Sequence, residues 1–529
     1  MKSSCLPRRV LLWVALLWGA AAAAQPAEPV YSEVRLRPTR ETALFGLASR
    51  GVALDHVRRG EDAAGPYVDA TLSDVELAEV RAAGVAYEVL VPDVVSAFEA
   101  RPRLTPEEQR AVEQADPLQG FEFGTMAGFY RLNEMVTELD SMRLLYPHLV
   151  TEKVSLGLSH EGREVWMVKI SDNPEVDELE PEVLYTAIHH AREPQSLMTV
   201  MYFMYYLLEN YGTDSLATAI VNERELYFIP MLNPDGYARN EATNPSGGGM
   251  WRKNRRNNGG GSFGVDPNRN YGYNWGYDNN GSSPNPSSET YRGPSAFSEP
   301  ENQAIRDFAE DREIVAALHY HSYGDMYIFP WGYATQYTPD DALFRSFSAD
   351  MSAHNGYDYG IAIEVNYYTN GSAYDWMYGE QTTKPKALAW TVEVGGSSDG
   401  FWPPMSRIFP LAQENLMPNL VLAQRAGELG VPTGTSGPPE TAGDFALSAA
   451  YPNPFNPNTA LTLRLARAQH VVVEALDGLG RRVALLHEGA LAAGTHRLAL
   501  DASGLPSGLY LVRAIGEAGS VHRPVTLLK

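Results

Sequence analysis

The chain has 529 residues, too many for one ordinary domain and enough for three or four. Hydrophobic residues make up 44% and aromatic residues 10%, so a sizeable core can be buried. Acidic residues outnumber basic ones by 65 to 42, a formal charge of -23, which argues against the basic face that nucleic-acid binding needs and suits a soluble exported protein.

The opening stretch, "MKSSCLPRRVLLWVALLWGAAAAAQ", sets Lys2, Arg8 and Arg9 before an apolar run of roughly ten residues and small residues up to Gln25. That is the pattern of a secretory signal peptide over 1–24. Cys5 is the one cysteine, so no internal disulfide can form. No later window is apolar enough over a sufficient length to span a membrane.

Residues 26 to about 98 read as a small α+β unit. "VYSEVRLRP" alternates like a strand, and "TRETALFGLASRG" has a helical pattern ending on glycine. "VALDHVRRG" and "YVDATLS" read as strands, "SDVELAEVRAAG" as a capped helix and "VAYEVLVPD" as a closing strand. The polar stretch "EARPRLTPEEQRAVEQADPLQG" that follows reads as an exposed, cleavable linker, so 25–120 forms one segment.

Between 121 and 428, helical runs such as "LNEMVTELDSMRLLYP" alternate with short apolar strands: "VWMVKI", "VLYTAI", "ELYFIPML", "VAALHY" and "LAWTVEV". Such alternation predicts an α/β domain with its site at strand ends. A long glycine- and asparagine-rich stretch from Asn244 carries several arginines and aromatics, which favours a functional loop. A Pro/Gly/Thr linker spans 429–443, and the remaining residues, 444–529, hold six strand-like runs separated by glycines, the pattern of a β-sandwich.

The chemistry concentrates in "YTAIHHAREPQS", residues 185 to 196, where charged groups end an apolar run. Charges beside a core are costly unless paired. His190 and Glu193 are spaced as HxxE, a pattern that one chain of this composition meets about once by chance. Hydrolytic zinc takes nitrogen and oxygen ligands and keeps one position open. His319 and His321 in "ALHYHSYGD" lie on one face of a strand end and offer a third ligand. Glu393 in "AWTVEVGG" ends another strand in apolar surroundings, which would raise its pKa toward that of a general base.

With these motifs in this order, residues 121–428 resemble a zinc metallocarboxypeptidase of the carboxypeptidase A/B family, closest to the carboxypeptidase T type. The resemblance implies a mixed central sheet flanked by helices, an N-terminal propeptide and one Zn2+. "HARE" then supplies His190 and Glu193 as ligands, "HSY" supplies His321, and "TVEV" supplies Glu393 as general base. Arg252 in "MWRKNR" matches the arginine that holds the oxyanion, and Asn268 and Arg269 in "DPNRNYG" match the pair that grips a free C-terminal carboxylate. Tyr367 matches a mobile tyrosine, Arg192 a subsite arginine, and Asp266 the carboxylate that orients the first zinc histidine. Tyr374, before the aspartate of "DW", lies by resemblance at the base of the pocket for the C-terminal side chain and predicts neutral, apolar or aromatic residues there. Asp325 and Ser372 depart from the family pattern. Asp177, Glu178, Glu182 and Glu225 match structural calcium ligands, and hard oxygens clustered in this way suit Ca2+.

The C-terminal segment, with "YPNPFNPNT" and "LPSGLYLVRA", resembles a type IX secretion sorting domain. It implies export across the outer membrane, followed by release or surface attachment. The expectation is a secreted, monomeric zinc carboxypeptidase, made as a precursor, acting on peptides and proteins with a free C-terminus. A cell-wall peptide amidase of the same fold and a non-catalytic surface-binding protein are the alternatives.

Overall fold

The computed structural model describes residues 29–430, except single positions 41, 55 and 366, and then 445–447, 455–465, 467–476, 481–516 and 519–529. The signal-peptide and 429–443 linker expectations lie almost wholly outside the described residues.

Eight strands form the central sheet. The runs read as strands from sequence supply Glu164–Ile170, Glu182–Thr186, Glu225–Ile229, Ile314–His321 and Leu388–Glu393. Four of these lie side by side and parallel, in the order Leu388–Glu393, Ile314–His321, Glu182–Thr186, Glu225–Ile229. Every residue of these four is buried, as expected for a sheet covered on both faces. Antiparallel neighbours flank them on either side, which makes the sheet mixed. The carboxyl ends of the parallel strands gather at one edge, and His321 pairs directly with Glu393 there.

Helix Pro194–Asn210 packs on one face of the sheet. Of its 17 residues, 14 are buried, so it is apolar almost all round. Pro194 at its first turn has no N–H to lose, which lets the helix start directly after Glu193.

The N-terminal unit is a four-stranded antiparallel sheet with helices Thr42–Ala48 and Asp74–Ala82. One expectation needs correction. "VALDHVRRG" was expected to be a strand throughout, but the strand runs only over Val57–Asp62. Val52, Ala53 and Leu54 are buried without joining a ladder: Val52 and Leu54 pack into the unit's own core with Leu47 and Val68, and the Ala53 N–H donates to Glu76 Oε1 at 2.8 Å. A second correction concerns the linker, which holds a helix, Pro106–Ala115, opened by a Thr105–Glu108 capping box. None of that helix is buried, so it remains an exposed segment.

The N-terminal unit sits on the carboxyl edge of the central sheet. Arg101 donates to the Trp402 carbonyl at 2.8 Å, and Ser288 donates to the Gly51 carbonyl at 2.9 Å. Phe45 packs on Tyr367 and Tyr368, each with ring centroids 5.9 Å apart. At the far end of the chain, among the described residues, sheets of three and four strands share one apolar core built around Leu463, Val473 and Val512, which is the expected sandwich.

Candidate active site

His190 and Glu193 lie in the turn between strand Glu182–Thr186 and helix Pro194–Asn210. His321 is the last residue of its strand. Chain topology brings the three together: His190 Nδ1 is 2.7 Å from Glu193 Oε1, His321 Nδ1 is 2.8 Å from Glu193 Oε2, and the two Nδ1 atoms are 3.2 Å apart. All three residues are buried.

The donor set fits zinc. Four ligands at 2.0–2.1 Å in a tetrahedron stand about 3.3 Å apart, close to the spacing here. Asp266 Oδ1 lies 3.1 Å from His190 Nε2, and a proton held there leaves Nδ1 as a bare lone pair. That lone pair faces a carboxylate and a second imidazole. Burial pushes His321 down to about 4, which keeps it neutral, as a metal ligand must be.

Asp266 is the hub behind the ligands. Its second oxygen accepts from Arg252 Nε at 3.1 Å and Nη2 at 2.7 Å, and Oδ1 also accepts from the Asn268 N–H at 2.8 Å. Burial alone would raise its pKa, but Arg252, His190 and Arg269 hold the carboxyl well below the usual range. Asn268 and Arg269 follow in the same turn, both buried. Asn268 Oδ1 accepts from the Ala373 N–H at 2.9 Å, and its Nδ2 lies 3.4 Å from His321 Nε2. Gly371, with φ of +69°, lies so close that a Cβ would come within 2.5 Å of the Arg269 carbonyl.

Glu393 ends its strand beside His321 and is buried. Arg192 stacks its guanidinium 4.1 Å from the Phe401 ring centre and stands 3.9 Å from Glu289. Tyr367 is buried under the N-terminal unit by Phe45. Tyr374 is buried in an apolar cluster with Ile328 and Ala389, its hydroxyl 2.7 Å from Thr369 Oγ1. Its neighbour Asp375 accepts from the Gly332 N–H at 3.0 and 3.1 Å, and burial pushes it up to about 7. The charges around Asp325 are Glu414, Asp399, Arg407 and Asp358, none of them expected in the specificity pocket.

Two further histidines resolve into supports. His189 Nε2 pairs with the Tyr271 hydroxyl at 2.8 Å, and its ring stacks on His321. His319 pairs with Thr186 Oγ1 at 2.8 Å, and burial pushes it down to about 3.

The acidic quartet divides. Ligand atoms of Asp177, Glu182 and Glu225 lie within 4.8 Å of one another, whereas Glu178 groups with Asp172 and Glu180. Glu178 is turned outward because Asn173 Nδ2 donates to both its oxygens, at 3.2 and 3.1 Å. Lys169 Nζ donates to Glu225 at 2.8 Å and so already supplies a positive charge to the inner group.

The sequence reading missed His56. It reaches from the N-terminal unit to within 3.4 Å of Glu193 and 3.6 Å of Glu393. A lone histidine inside an apolar run carries no spacing signal that could have found it.

A parallel-strand edge with two imidazoles, a carboxylate and buried arginines beside them defines a zinc metallopeptidase. Residues 135–418 match the zinc carboxypeptidase family, and the chain belongs to it. Residues 449–526 match the secretion system C-terminal sorting domain, so this is a secreted metallocarboxypeptidase. The chain is 31% identical to human carboxypeptidase A1 over 354 residues, covering 64% of this chain and 79% of that protein. It is 30% identical to zinc carboxypeptidase A 1 of Anopheles gambiae over 444 residues, covering 80% and 95%. Among solved structures, carboxypeptidase A from Helicoverpa armigera shares the fold with a TM-score of 0.61 at 23% identity, covering 76% of this chain and 98% of that one. Among the described residues no helix is long and apolar enough to cross a membrane.

Asp266→Asn should weaken zinc affinity by about 10- to 100-fold in a chelator competition, the scale seen when a partner behind a zinc histidine is lost. Unchanged affinity would mean that Asp266 serves Arg252 alone.

Proposed function

We propose that the protein removes single C-terminal residues from peptides and proteins, favouring neutral apolar or aromatic side chains. The observation that carries this reading is the convergence of Arg252, Asn268 and Arg269 beside the expected zinc ligands through the one carboxylate of Asp266. A planar guanidinium such as Arg269 suits bidentate recognition of a free carboxylate, and Asn268 adds a hydrogen bond without charge. Arg252 supplies positive charge where the carbonyl oxygen becomes negative. Zinc bound to His190, Glu193 and His321 would supply Lewis acidity and lower the pKa of water toward about 7. Glu393 takes the proton from the attacking water and passes it to the leaving amine. Tyr367 closes over the bound residue once the N-terminal unit no longer pins it. Tyr374 and Asp375 support the neutral preference: the tyrosine ends in a satisfied hydroxyl, and the aspartate is turned onto the Gly332 N–H.

In this reading the N-terminal unit, 25–120, is a propeptide, with a signal peptide ahead of it. The type IX secretion machinery is the export partner of the C-terminal unit. The cell-wall amidase alternative gains nothing from the site, since its charged groups suit a plain C-terminal carboxylate.

The test is mass spectrometry of products from peptides that differ only in the last residue, with free and amidated ends. The matured protein should shorten only free-ended peptides, with apolar or aromatic ends trimmed fastest. Glu393→Gln should lower kcat by about 10²- to 10⁴-fold, and a chelator should abolish activity. Trimming of amidated peptides, or none at all by zinc-loaded protein, would contradict the reading.

A structural calcium at Asp177, Glu182 and Glu225 is a second proposal, supported by their convergence. Such an ion must displace the Lys169 ammonium from Glu225. Burial pushes Glu182 up to about 8, so it is mostly protonated at pH 7 and must ionise to bind calcium. Calcium added to weakly buffered protein at pH 7 should therefore release protons, and Glu182→Gln should suppress the release. No proton release would leave these residues as an ion-pair network with Lys169.

A further inference from the structure

His56, in the N-terminal unit, turns its ring nitrogens toward both an expected metal ligand, Glu193, and the expected general base, Glu393. It stands in the short segment between helix Thr42–Ala48 and strand Val57–Asp62. That segment is held from two sides: Glu76 Oε1 accepts from the Ala53 N–H at 2.8 Å, and Ser288 of the large domain donates to the Gly51 carbonyl at 2.9 Å. The same Glu76 closes the capping box of helix Asp74–Ala82 with Ser73, so the segment is tied to the fold of its own unit. The ring is buried, edge-on to Phe401 with centroids 5.0 Å apart.

We propose that His56 occupies the open coordination position of the zinc in the precursor and turns its other nitrogen toward Glu393. The proposal rests on the reading of His190, Glu193 and His321 as the zinc ligands. His56 Nε2 is 3.4 Å from Glu193 Oε1, close to the roughly 3.3 Å edge of a tetrahedral zinc site. Ligand atoms of His56, His190 and Glu193 all lie within 4.8 Å of one another. The far nitrogen, Nδ1, is 3.6 Å from Glu393 Oε2 and 3.4 Å from the Tyr323 carbonyl. A zinc-bound imidazole characteristically gives its second N–H to a carboxylate or a backbone carbonyl, and both stand here. One imidazole thus takes the place of the attacking water and stands beside the base that would deprotonate it. Release of the unit removes this ligand and leaves its position to water.

The test is zinc K-edge X-ray absorption of the full-length chain, with a parallel chelator competition. Wild type should show three imidazoles in the zinc shell, and His56→Gln should show two. Zinc affinity of the full-length His56→Gln chain should fall by about tenfold or more, the scale on which even an outer partner of a zinc ligand acts. Two imidazoles in wild type overturn the proposal without reference to any variant. So does equal zinc affinity in the two metal-loaded chains. Absence of zinc from both overturns the zinc-site reading itself, a result distinct from a two-imidazole shell.

Discussion

The architecture of the site depends on keeping two carboxylates, Glu193 and Asp266, ionised at the buried edge of a parallel sheet. An isolated buried charge is too costly to persist, so each must be surrounded by partners whose positions are then fixed. Asp266 gathers His190, Arg252 and the turn that carries Asn268 and Arg269. Glu193 faces His190 and His321. The groups proposed to act together on one substrate are therefore assembled by charge compensation before any substrate arrives. Removing one partner from such a set commonly costs about 3–5 kcal/mol, which is why the cluster behaves as a unit.

The N-terminal unit uses the same edge. In the proposed reading the substrate site would present zinc, the base Glu393 and the aromatic Tyr367, all of which attract other groups when the cleft is empty. His56 lies between Glu193 and Glu393, and Phe45 covers Tyr367, so one small domain contacts two separate parts of the proposed site. The contact at His56 is made by the segment that joins helix Thr42–Ala48 to strand Val57–Asp62. Burying Val52, Ala53 and Leu54 without ladder hydrogen bonds is acceptable because neighbours such as Glu76 satisfy the backbone there.

Much of this was legible in the sequence. The apolar strands announced themselves because parallel strands buried on both faces read as unbroken runs. His190, Glu193, His321 and Glu393 were legible because each ends such a run with a charge that a core would not otherwise carry. What escaped depended on distant partners. The strand expected through Val52–His56 starts only at Val57 because Val52 and Leu54 fill the unit's own core without pairing with a strand, and periodicity cannot tell those apart. Glu178 looked equivalent to its acidic neighbours until Asn173 turned it outward. His56 is functional only through where the whole unit docks, and no local pattern encodes that.

The most direct test of the account is zinc-edge anomalous diffraction from crystals of the full-length protein. One strong peak bounded by His190 Nδ1, the Glu193 carboxylate and His321 Nδ1 is the result expected. A peak elsewhere, such as at His160, Glu299 and Glu301, or no peak in protein loaded with zinc, would contradict it.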